Sequence, residues 1–251
     1  MSQSSAEVAE ANIIPRVHPC FRLLSQAGYS FVRPFLRRRI GRTVLEHVEG
    51  LPFLVLPDVF NPSIYRTGRL LVQALAALPI RTECGGEPRA LDIGTGSGLG
   101  AIFAARRGYQ VAAVDINPSA VRCARINALQ HHLEDRIDVR QGDLFEPVQG
   151  ERFDLVLFNP PFFRGQPRNA LDAAWRGADV LERFAAGLPA VLNSGGVGLI
   201  VLSTDGDCQA LLRELRNIPM TIEVVRQRHF GNEIITVYHV QLDGGKGAYE
   251  P

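Results

Sequence analysis

An amide, two prolines and an aromatic ring stand together in the segment Asn159-Pro160-Pro161-Phe162. The segment follows an apolar run, residues 153–158, which predicts a buried parallel strand. Open α/β sheets bind ligands at the carboxyl ends of such strands. There the side-chain carbonyl of Asn159 and the backbone carbonyl of Pro160 can accept hydrogen bonds from a substrate N–H group, on a backbone that the prolines make rigid.

We call residues 159–162 the ledge. A rigid pair of acceptors of this kind suits transfer of a carbon group to an amide or aromatic amine nitrogen. In an in-line displacement the nucleophile sits about 3 Å from the carbon. The lone pair of such a nitrogen is delocalised, and two acceptors that hold its N–H groups let the lone pair develop toward the carbon. Phe162 offers a ring face for stacking a planar substrate. We therefore expect Asn159, Pro160 and Phe162 to be catalytic; the alternative is a proline-rich turn with a buried phenylalanine.

A glycine-rich turn precedes this motif, in Leu91-Asp92-Ile93-Gly94-Thr95-Gly96-Ser97-Gly98. Glycines between a strand and a helix let the backbone approach a ligand closely, and the helix N-terminus offers unpaired N–H groups. The turn also fits the loose dinucleotide pattern G-x-G-x-x-A, a weak signal by itself. The carboxylate of Asp92 would repel a pyrophosphate but suits a cationic amino acid. S-adenosylmethionine (SAM) has an α-ammonium, a sulfonium and no phosphate, so we expect it to contact Asp92, Gly94, Thr95, Gly96 and Gly98.

Two further carboxylates stand at the ends of successive predicted strands. Asp115 follows the glycine turn by about twenty residues, where a carboxylate can accept both ribose hydroxyls. Asp143 is placed to accept from the adenine amino group, while Ile116 and Leu144 can hold the adenine between them. Each aspartate alone can be an ordinary strand-end cap. Three at successive strand ends favour a SAM site, to which Asn159 also contributes.

The composition is that of a globular enzyme. The 251 residues are 46% hydrophobic, carry a net charge of +1 and have a mean hydropathy of +0.02. These values predict no global field for nucleic acid and no membrane association. The four cysteines show no metal or redox spacing, so we expect reduced thiols, no metal and a cytoplasmic location. No segment resembles a secretion signal or a bilayer span.

Strands and helices alternate after residue 90, which predicts an α/β fold with a Rossmann-like, mostly parallel sheet of seven strands and an antiparallel last strand. We expect a helical N-terminal extension or lid over residues 1–55, the catalytic domain over 56–242 and a flexible tail over 243–251. Within the extension, apolar spacing over residues 20–48 predicts two or three short helices. Later helices are expected at 69–78, 98–107, 118–130, 170–188 and 207–217.

With these motifs in view, the chain resembles the class I SAM-dependent methyltransferases of the Asn-Pro-Pro-aromatic group, which includes release-factor glutamine, adenine-N6 and guanine-N2 methyltransferases. The likeness covers residues 58–242. Asp58-Val59-Phe60-Asn61-Pro62 resembles the proline loop that leads into the helix over the methionine end of SAM, which implies a cofactor contact at Thr67. Gly231-Asn232-Glu233 resembles the final hairpin turn. Phe162 stands where the group usually has tyrosine, and residues 63–68 lack the acidic residues usual in that loop.

The predicted activity is SAM-dependent methylation of an amide or amine nitrogen, on a polypeptide glutamine or a small metabolite. A helical lid that closes over the pocket favours a compact substrate. A nucleic-acid base is an alternative that is not favoured. Another is a cyclisation in which the amine of SAM attacks a carbon of its own side chain. A non-enzymatic SAM-binding module is the last alternative, and nothing in the sequence indicates an oligomeric state.

Overall fold

The computed structural model describes residues 41–80, 86–161, 163–166, 176–231 and 233–243. Residues 1–40, which carry most of the predicted helical extension, lie outside the described residues, as do Phe162 and the tail from residue 244. Across the described ranges, no helix is both long and apolar enough to cross a bilayer.

Eleven strands are defined in the described part of the chain. In chain order they are β1 (Val44–Val48), β2 (Leu51–Val55), β3 (Arg89–Ile93), β4 (Gln110–Asp115), β5 (Ile137–Gln141), β6 (Phe153–Phe158), β7 (Phe163–Arg164), β8 (Arg176–Gly177), β9 (Leu192–Ser203), β10 (Met220–His229) and β11 (Ile234–Leu242). Seven of them form one sheet in the order β10-β11-β9-β6-β3-β4-β5. Strands β3, β4, β5, β6 and β9 are parallel, whereas β11 is antiparallel to both β9 and β10. The predicted sheet and its final hairpin are confirmed.

Helices cover both faces of this sheet. They are α1 (Arg66–Ala77), α2 (Leu99–Arg106), α3 (Pro118–Gln130), α4 (Val180–Val191) and α5 (Cys208–Arg216), with a short 3-10 turn at Glu146–Val148. One buried cluster joins α1, α2 and α3 to the sheet through side chains such as Leu75, Ile102 and Leu157. A second joins α4 and α5 to the opposite face through Phe158 and Leu211. The inner strands β3, β4 and β6 are therefore largely apolar on both faces, as their sequences indicate, whereas the edge strand β5 exposes Asp138.

The helix prediction is wrong between residues 44 and 48, because this stretch is strand β1, paired with β2 in an antiparallel hairpin. Its side chains alternate: Glu46 and Val48 are buried, whereas Leu45 is 58% exposed. Glu49 and Gly50 have φ values of 49° and 80°. Two positive φ values in succession make the tight turn that matches the twist of a two-residue hairpin. The apolar residues Val44, Leu45 and Val48 have helical spacing, whereas the strand buries Glu46 and exposes Leu45, so the apolar pattern alone indicates the wrong element.

The predicted helix over residues 170–188 is wrong at its start. Helix α4 begins only at Val180, and Arg176–Gly177 forms strand β8, which pairs in parallel with β7. A Cβ added to Gly177 would lie 2.4 Å from Cγ2 of Val180 and 3.4 Å from Cγ of Pro161. The chain therefore folds back tightly against the ledge at this glycine before the helix can begin. Residues 170–175 of the predicted helix lie outside the described residues.

Candidate active site

A cavity opens at the carboxyl ends of β3, β4, β5 and β6, where the parallel sheet places its ligand crevice. Its wall brings together most of the residues that the sequence singles out. These are Asp92, Gly94, Thr95, Gly96, Asp115, Ile116, Asp143, Leu144, Asn159 and Pro160. Segments more than 60 residues apart in the chain therefore meet around one site.

The glycine turn leaves room for a ligand at two of its three glycines. Gly94 and Gly96 have φ values of 65° and 56°, and a Cβ added to Gly94 would meet no atom within 4 Å. Gly98 differs: a Cβ there would lie 3.2 Å from Cα of Ala124 in α3. Gly98, which does not line the cavity, permits close packing of α2 on α3, whereas the first two glycines let the backbone approach a ligand.

Asp92 is a buried carboxylate at the floor of the cavity. Its Oδ2 accepts hydrogen bonds from the Thr95 hydroxyl at 2.6 Å and from the Ala101 N–H at 2.9 Å. Burial raises the pKa of Asp92 to about 6 in spite of these bonds, with a smaller contribution from Asp115. Its Oδ1 accepts no hydrogen bond within the described part of the chain. This oxygen can receive a cationic ligand group, which would stabilise the charged form.

Asp115 is held between two backbone N–H groups. Its Oδ2 accepts from Gly96 and its Oδ1 accepts from Asn117, each at 2.9 Å. Burial raises the pKa of this carboxyl group, and the two hydrogen bonds oppose the rise. A carboxylate offers about four lone-pair sites, so each oxygen retains a site for one more donor. The geometry therefore fits a vicinal diol, with one hydroxyl at each oxygen.

The predicted adenine contacts lie at the far wall of the cavity. Ile116 is 55% exposed, and Leu144 is buried with a positive φ of 48°. Asp143 forms an ion pair with Arg183 of α4, Nη2 to Oδ2 at 2.6 Å, a contact that the sequence analysis missed. One oxygen of Asp143 is thus committed to α4, which leaves the other for a ligand amino group.

Two buried side-chain oxygens in this region have no hydrogen-bond partner among the described residues. Within the described residues, the side-chain oxygen Oδ1 of Asn159 is buried and makes no hydrogen bond, and the same is true of Oγ1 of Thr67. Thr67 lies in the first turn of α1, next to Gly68, which lines the cavity. Leaving such a group unsatisfied costs about 1–3 kcal/mol, so each atom is a candidate ligand contact.

The segment before the glycine turn contributes wall residues that sequence reasoning did not single out for the site. Phe60, Leu71 and Val72 line the cavity from this segment, whereas Asn117 and Val180 line it from later in the chain, at the starts of α3 and α4. The Phe60 ring stacks on Tyr65 with the ring centroids 4.6 Å apart. The signal that could have found Phe60 is its place in the proline loop, which precedes a helix packed on the sheet.

Asparagine side chains tie this segment to the cofactor side of the cavity. Asn117 Nδ2 donates to the carbonyl of Asp58 at 2.7 Å. Asn61 Nδ2 donates to Oε1 of Glu46 at 2.9 Å, and its Oδ1 accepts from the N–H of Ser63 at 3.0 Å. These bonds fix the loop that carries Phe60 between the hairpin β1–β2 and the end of β4.

Comparison with known proteins identifies the family. A profile of the methyltransferase small domain family matches residues 50–230. The chain belongs to this family. It is therefore a methyltransferase, and its sheet is the Rossmann-like sheet of class I SAM-dependent methyltransferases.

Individual proteins that this chain resembles are also methyltransferases by name. A Methanocaldococcus jannaschii protein, with the provisional name protein N5-glutamine methyltransferase, is 31% identical over 70% of this chain and 88% of its own length. The release factor glutamine methyltransferase of Geobacter sulfurreducens is 32% identical over 65% of this chain, which spans 62% of that relative. The 16S rRNA N2 methyltransferase RsmC of Thermus thermophilus, solved with AdoMet and guanosine, has a TM-score of 0.59 at 23% identity, over 80% of this chain and 50% of its own. That structural likeness shows the fold alone.

SAM, the cofactor of this methyltransferase, fits the residues present. The spare lone pairs of Asp115 match a ribose diol. Oδ1 of Asp92 and the open space above Gly94 match a cationic amino-acid moiety without phosphate. Thr67 offers a hydroxyl without a partner in the described part of the chain.

Side chains that line the cavity surround the place where SAM would react. When bound, SAM supplies an electrophilic methyl carbon on a sulfonium. Asn159 and Pro160 line the same cavity, and the side-chain Oδ1 of Asn159 is a hydrogen-bond acceptor there. The wall of the cavity also includes the apolar side chains of Phe60, Leu71 and Val72.

Proposed function

We propose that this methyltransferase transfers the methyl group to the side-chain amide nitrogen of a glutamine in a polypeptide. The observation that supports the proposal most strongly is the buried Oδ1 of Asn159, which has no hydrogen-bond partner among the described residues. A primary amide has two N–H groups. Oδ1 of Asn159 and the carbonyl of Pro160 supply two acceptors, which hold the amide so that its lone pair develops toward the methyl carbon.

The ledge has the rigidity that this role requires. Asn159 follows β6, whose last residue, Phe158, is 1% exposed and stacks on Phe184 of α4 with the ring centroids 3.9 Å apart. Pro160 is itself buried. This packing supports the proposal that the two acceptors are oriented before the substrate arrives, and orientation of this kind lowers the barrier without reorganisation.

A polypeptide is favoured over the compact metabolite for a structural reason. The described part of the N-terminal segment is a hairpin packed on α3, and none of residues 44–55 lines the cavity. The described residues of the N-terminal segment therefore do not form the lid that favoured a compact substrate. The name of the archaeal relative, which the chain covers over 88% of its length, supports glutamine as the acceptor.

A polypeptide is also favoured over nucleic acid. The carboxylates of Asp205 and Glu233 interact at the end of β9, on the side of the ledge away from the cofactor residues. Negative charge there repels phosphate groups, whereas proteins that bind nucleic acid carry clustered arginine and lysine along the backbone path.

The test is methyl transfer from SAM to short synthetic peptides with one central glutamine, read by mass spectrometry and fragmentation. A matched peptide with asparagine at the same position is the control. The proposal predicts one added methyl group on the glutamine side chain and at least tenfold less on asparagine, because the shorter side chain misplaces the amide by about one methylene. Transfer to a guanosine-containing oligonucleotide, with none to either peptide, would overturn the proposal.

A further inference from the structure

Four polar side chains stand in a row on one face of the sheet, at its carboxyl edge. Side chains alternate between faces along a strand. Asp92, Asn159 and Ser203 each lie two residues after a side chain of the α1–α2–α3 cluster, and Glu233 lies two residues before one. Their strands β3, β6, β9 and β11 are neighbours in the sheet, so the row extends from the cofactor side past the ledge.

The first two members of the row already have roles, whereas Ser203 and Glu233 do not. The register pairs Phe158 with Ile200. With a strand spacing of about 4.8 Å and a rise of about 3.3 Å per residue, Cα of Ser203 lies about 8 Å from Cα of Asn159. That is little more than the span of two extended residues. A polypeptide held by one side chain at Asn159 therefore brings its neighbouring backbone to Ser203 and Glu233.

Glu233 is half-buried and only partly satisfied. Its Oε1 accepts from the Ser203 hydroxyl at 2.6 Å, and Ser203 Oγ in turn accepts from the N–H of Asp205 at 3.1 Å. Its Oε2 accepts no hydrogen bond within the described residues. Burial raises the pKa of Glu233, and the nearby charge of Asp205 raises it further. Ser203 holds the carboxylate in one orientation, which leaves one oxygen available to a donor.

A cation lies beside this carboxylate. The Arg66 guanidinium lies 4.4 Å from the centroid of the Phe230 ring, and its charge favours the ionised form of Glu233. Phe230 is held in the turn by its N–H, which donates to the carbonyl of Glu233 at 2.8 Å. A guanidinium has five N–H donors, so the contact with the ring leaves donors available for acceptors. The site therefore presents an acceptor and a donor at adjacent positions.

We propose that Glu233 and Arg66 form a subsite for the backbone of the acceptor polypeptide, next to the methylated glutamine. Glu233 accepts from a backbone N–H of a neighbouring residue, and Arg66 donates to a backbone carbonyl. A peptide unit carries one donor and one acceptor, which matches this pair. The subsite rests on the proposed function, because it assumes that the glutamine amide lies at Asn159. It adds a recognition element that lies outside the cavity.

The experiment compares glutamine peptides that differ by one atom. In each analogue a single backbone amide on either side of the glutamine is replaced by an ester, which removes the N–H. For the wild-type chain, one ester position should raise KM about tenfold, the effect of one hydrogen bond to a charged group, with kcat unchanged. In Glu233→Gln the shape and the Ser203 contact are retained, but an amide donor replaces Oε2. This variant should bind the ester and amide peptides equally.

The outcomes separate the two proposals. Ser203→Ala is the structural control, since it removes the hydrogen bond that holds Glu233 without removing the carboxylate; it should retain the preference for the amide peptide. If Glu233→Gln still prefers the amide peptide tenfold, the subsite is wrong while the proposed function stands. If wild-type protein methylates no glutamine peptide, both proposals are overturned.

Discussion

Asn127 of α3 holds Leu54 of β2 by both backbone groups: Oδ1 accepts from its N–H and Nδ2 donates to its carbonyl, each at 2.8 Å. The same Nδ2 donates to the carbonyl of Ser97 in the glycine turn at 2.8 Å. Asn127 is fully buried. The hairpin β1–β2 and the glycine turn are therefore joined through the side chain of Asn127.

Replacing Asn127 by alanine should lower the free energy of unfolding by about 2–4 kcal/mol, because three backbone groups lose a partner in a site with little access to water. Urea unfolding, monitored by circular dichroism, measures the free energy of unfolding. The control is Gln130→Ala, since Gln130 is exposed and its Nε2 donates to the Pro52 carbonyl at 2.9 Å. We expect a loss below about 0.5 kcal/mol for the control. Equal losses in the two variants would contradict the role of Asn127.

Removing the Asp115 carboxylate should weaken SAM binding. Asp115→Ala takes away the acceptors for two ribose hydroxyls, and we expect a loss of about 2–3 kcal/mol in binding free energy, measured by calorimetry. Asp138→Ala is the control, because Asp138 is an exposed carboxylate that pairs with Arg140. SAM affinity that is the same in Asp115→Ala as in wild type would refute the ribose assignment.

SAM affinity should depend on pH through Asp92. Burial raises the pKa of this carboxyl group to about 6. Protonated Asp92 therefore contributes to the free energy of unfolding of the free protein below the ordinary pKa near 4, and this contribution is lost as pH rises through about 6. A cationic ligand favours the ionised form and must displace the proton below that pH. We expect Kd for SAM to be about tenfold higher at pH 5.0 than at pH 7.5.

Asp92→Asn is the matched control for this profile. It should bind SAM weakly, with a Kd that changes less between the two pH values than the wild-type Kd does. Burial also raises the pKa of Asp115, which acts in the same direction, and the asparagine variant isolates that contribution. A wild-type Kd that is flat across this range would exclude contact between Asp92 and the ammonium group.

The N-terminal segment should support the catalytic domain through the hairpin. Deleting residues 1–55 removes the contacts of Leu54 with Asn127 and the Glu46 contact with Asn61, so we expect lower stability and weaker SAM binding. Deleting only residues 1–42 leaves the hairpin and should leave SAM affinity within about threefold of wild type. The melting temperature measures the loss of stability, and calorimetry measures SAM affinity. Equal SAM affinity in the two deletions would refute the hairpin's role.

Much of the sheet could be predicted because β3, β4 and β6 are largely apolar runs that end at a glycine, an aspartate or an asparagine. The cofactor residues follow from the same pattern, since Asp92, Asp115 and Asn159 mark strand ends. These features are local in the sequence, and the rules for parallel sheets bring them to one edge.

The parts of the fold and of the site that could not be predicted depend on contacts between residues that are distant in the chain. Asn127 is a polar residue in the middle of a helix, and its partner Leu54 is 73 residues away. Arg183 pairs with Asp143 across 40 residues. Short-range periodicity contains no information on such pairs. The strand β1 was missed for a different reason: its apolar residues have helical spacing, whereas the strand buries the charged Glu46 and exposes Leu45.

The central claim is that Asn159 orients an amide nitrogen for methyl transfer, and its most direct test is single-turnover kinetics of Asn159→Ala beside calorimetry of SAM. The side chain contributes in the transition state, so we expect the rate of methyl transfer to a glutamine peptide to fall by about 10²–10³-fold. SAM affinity should stay within about threefold of wild type, because the cofactor is held by other residues. A variant that transfers methyl groups at near the wild-type rate would contradict the account.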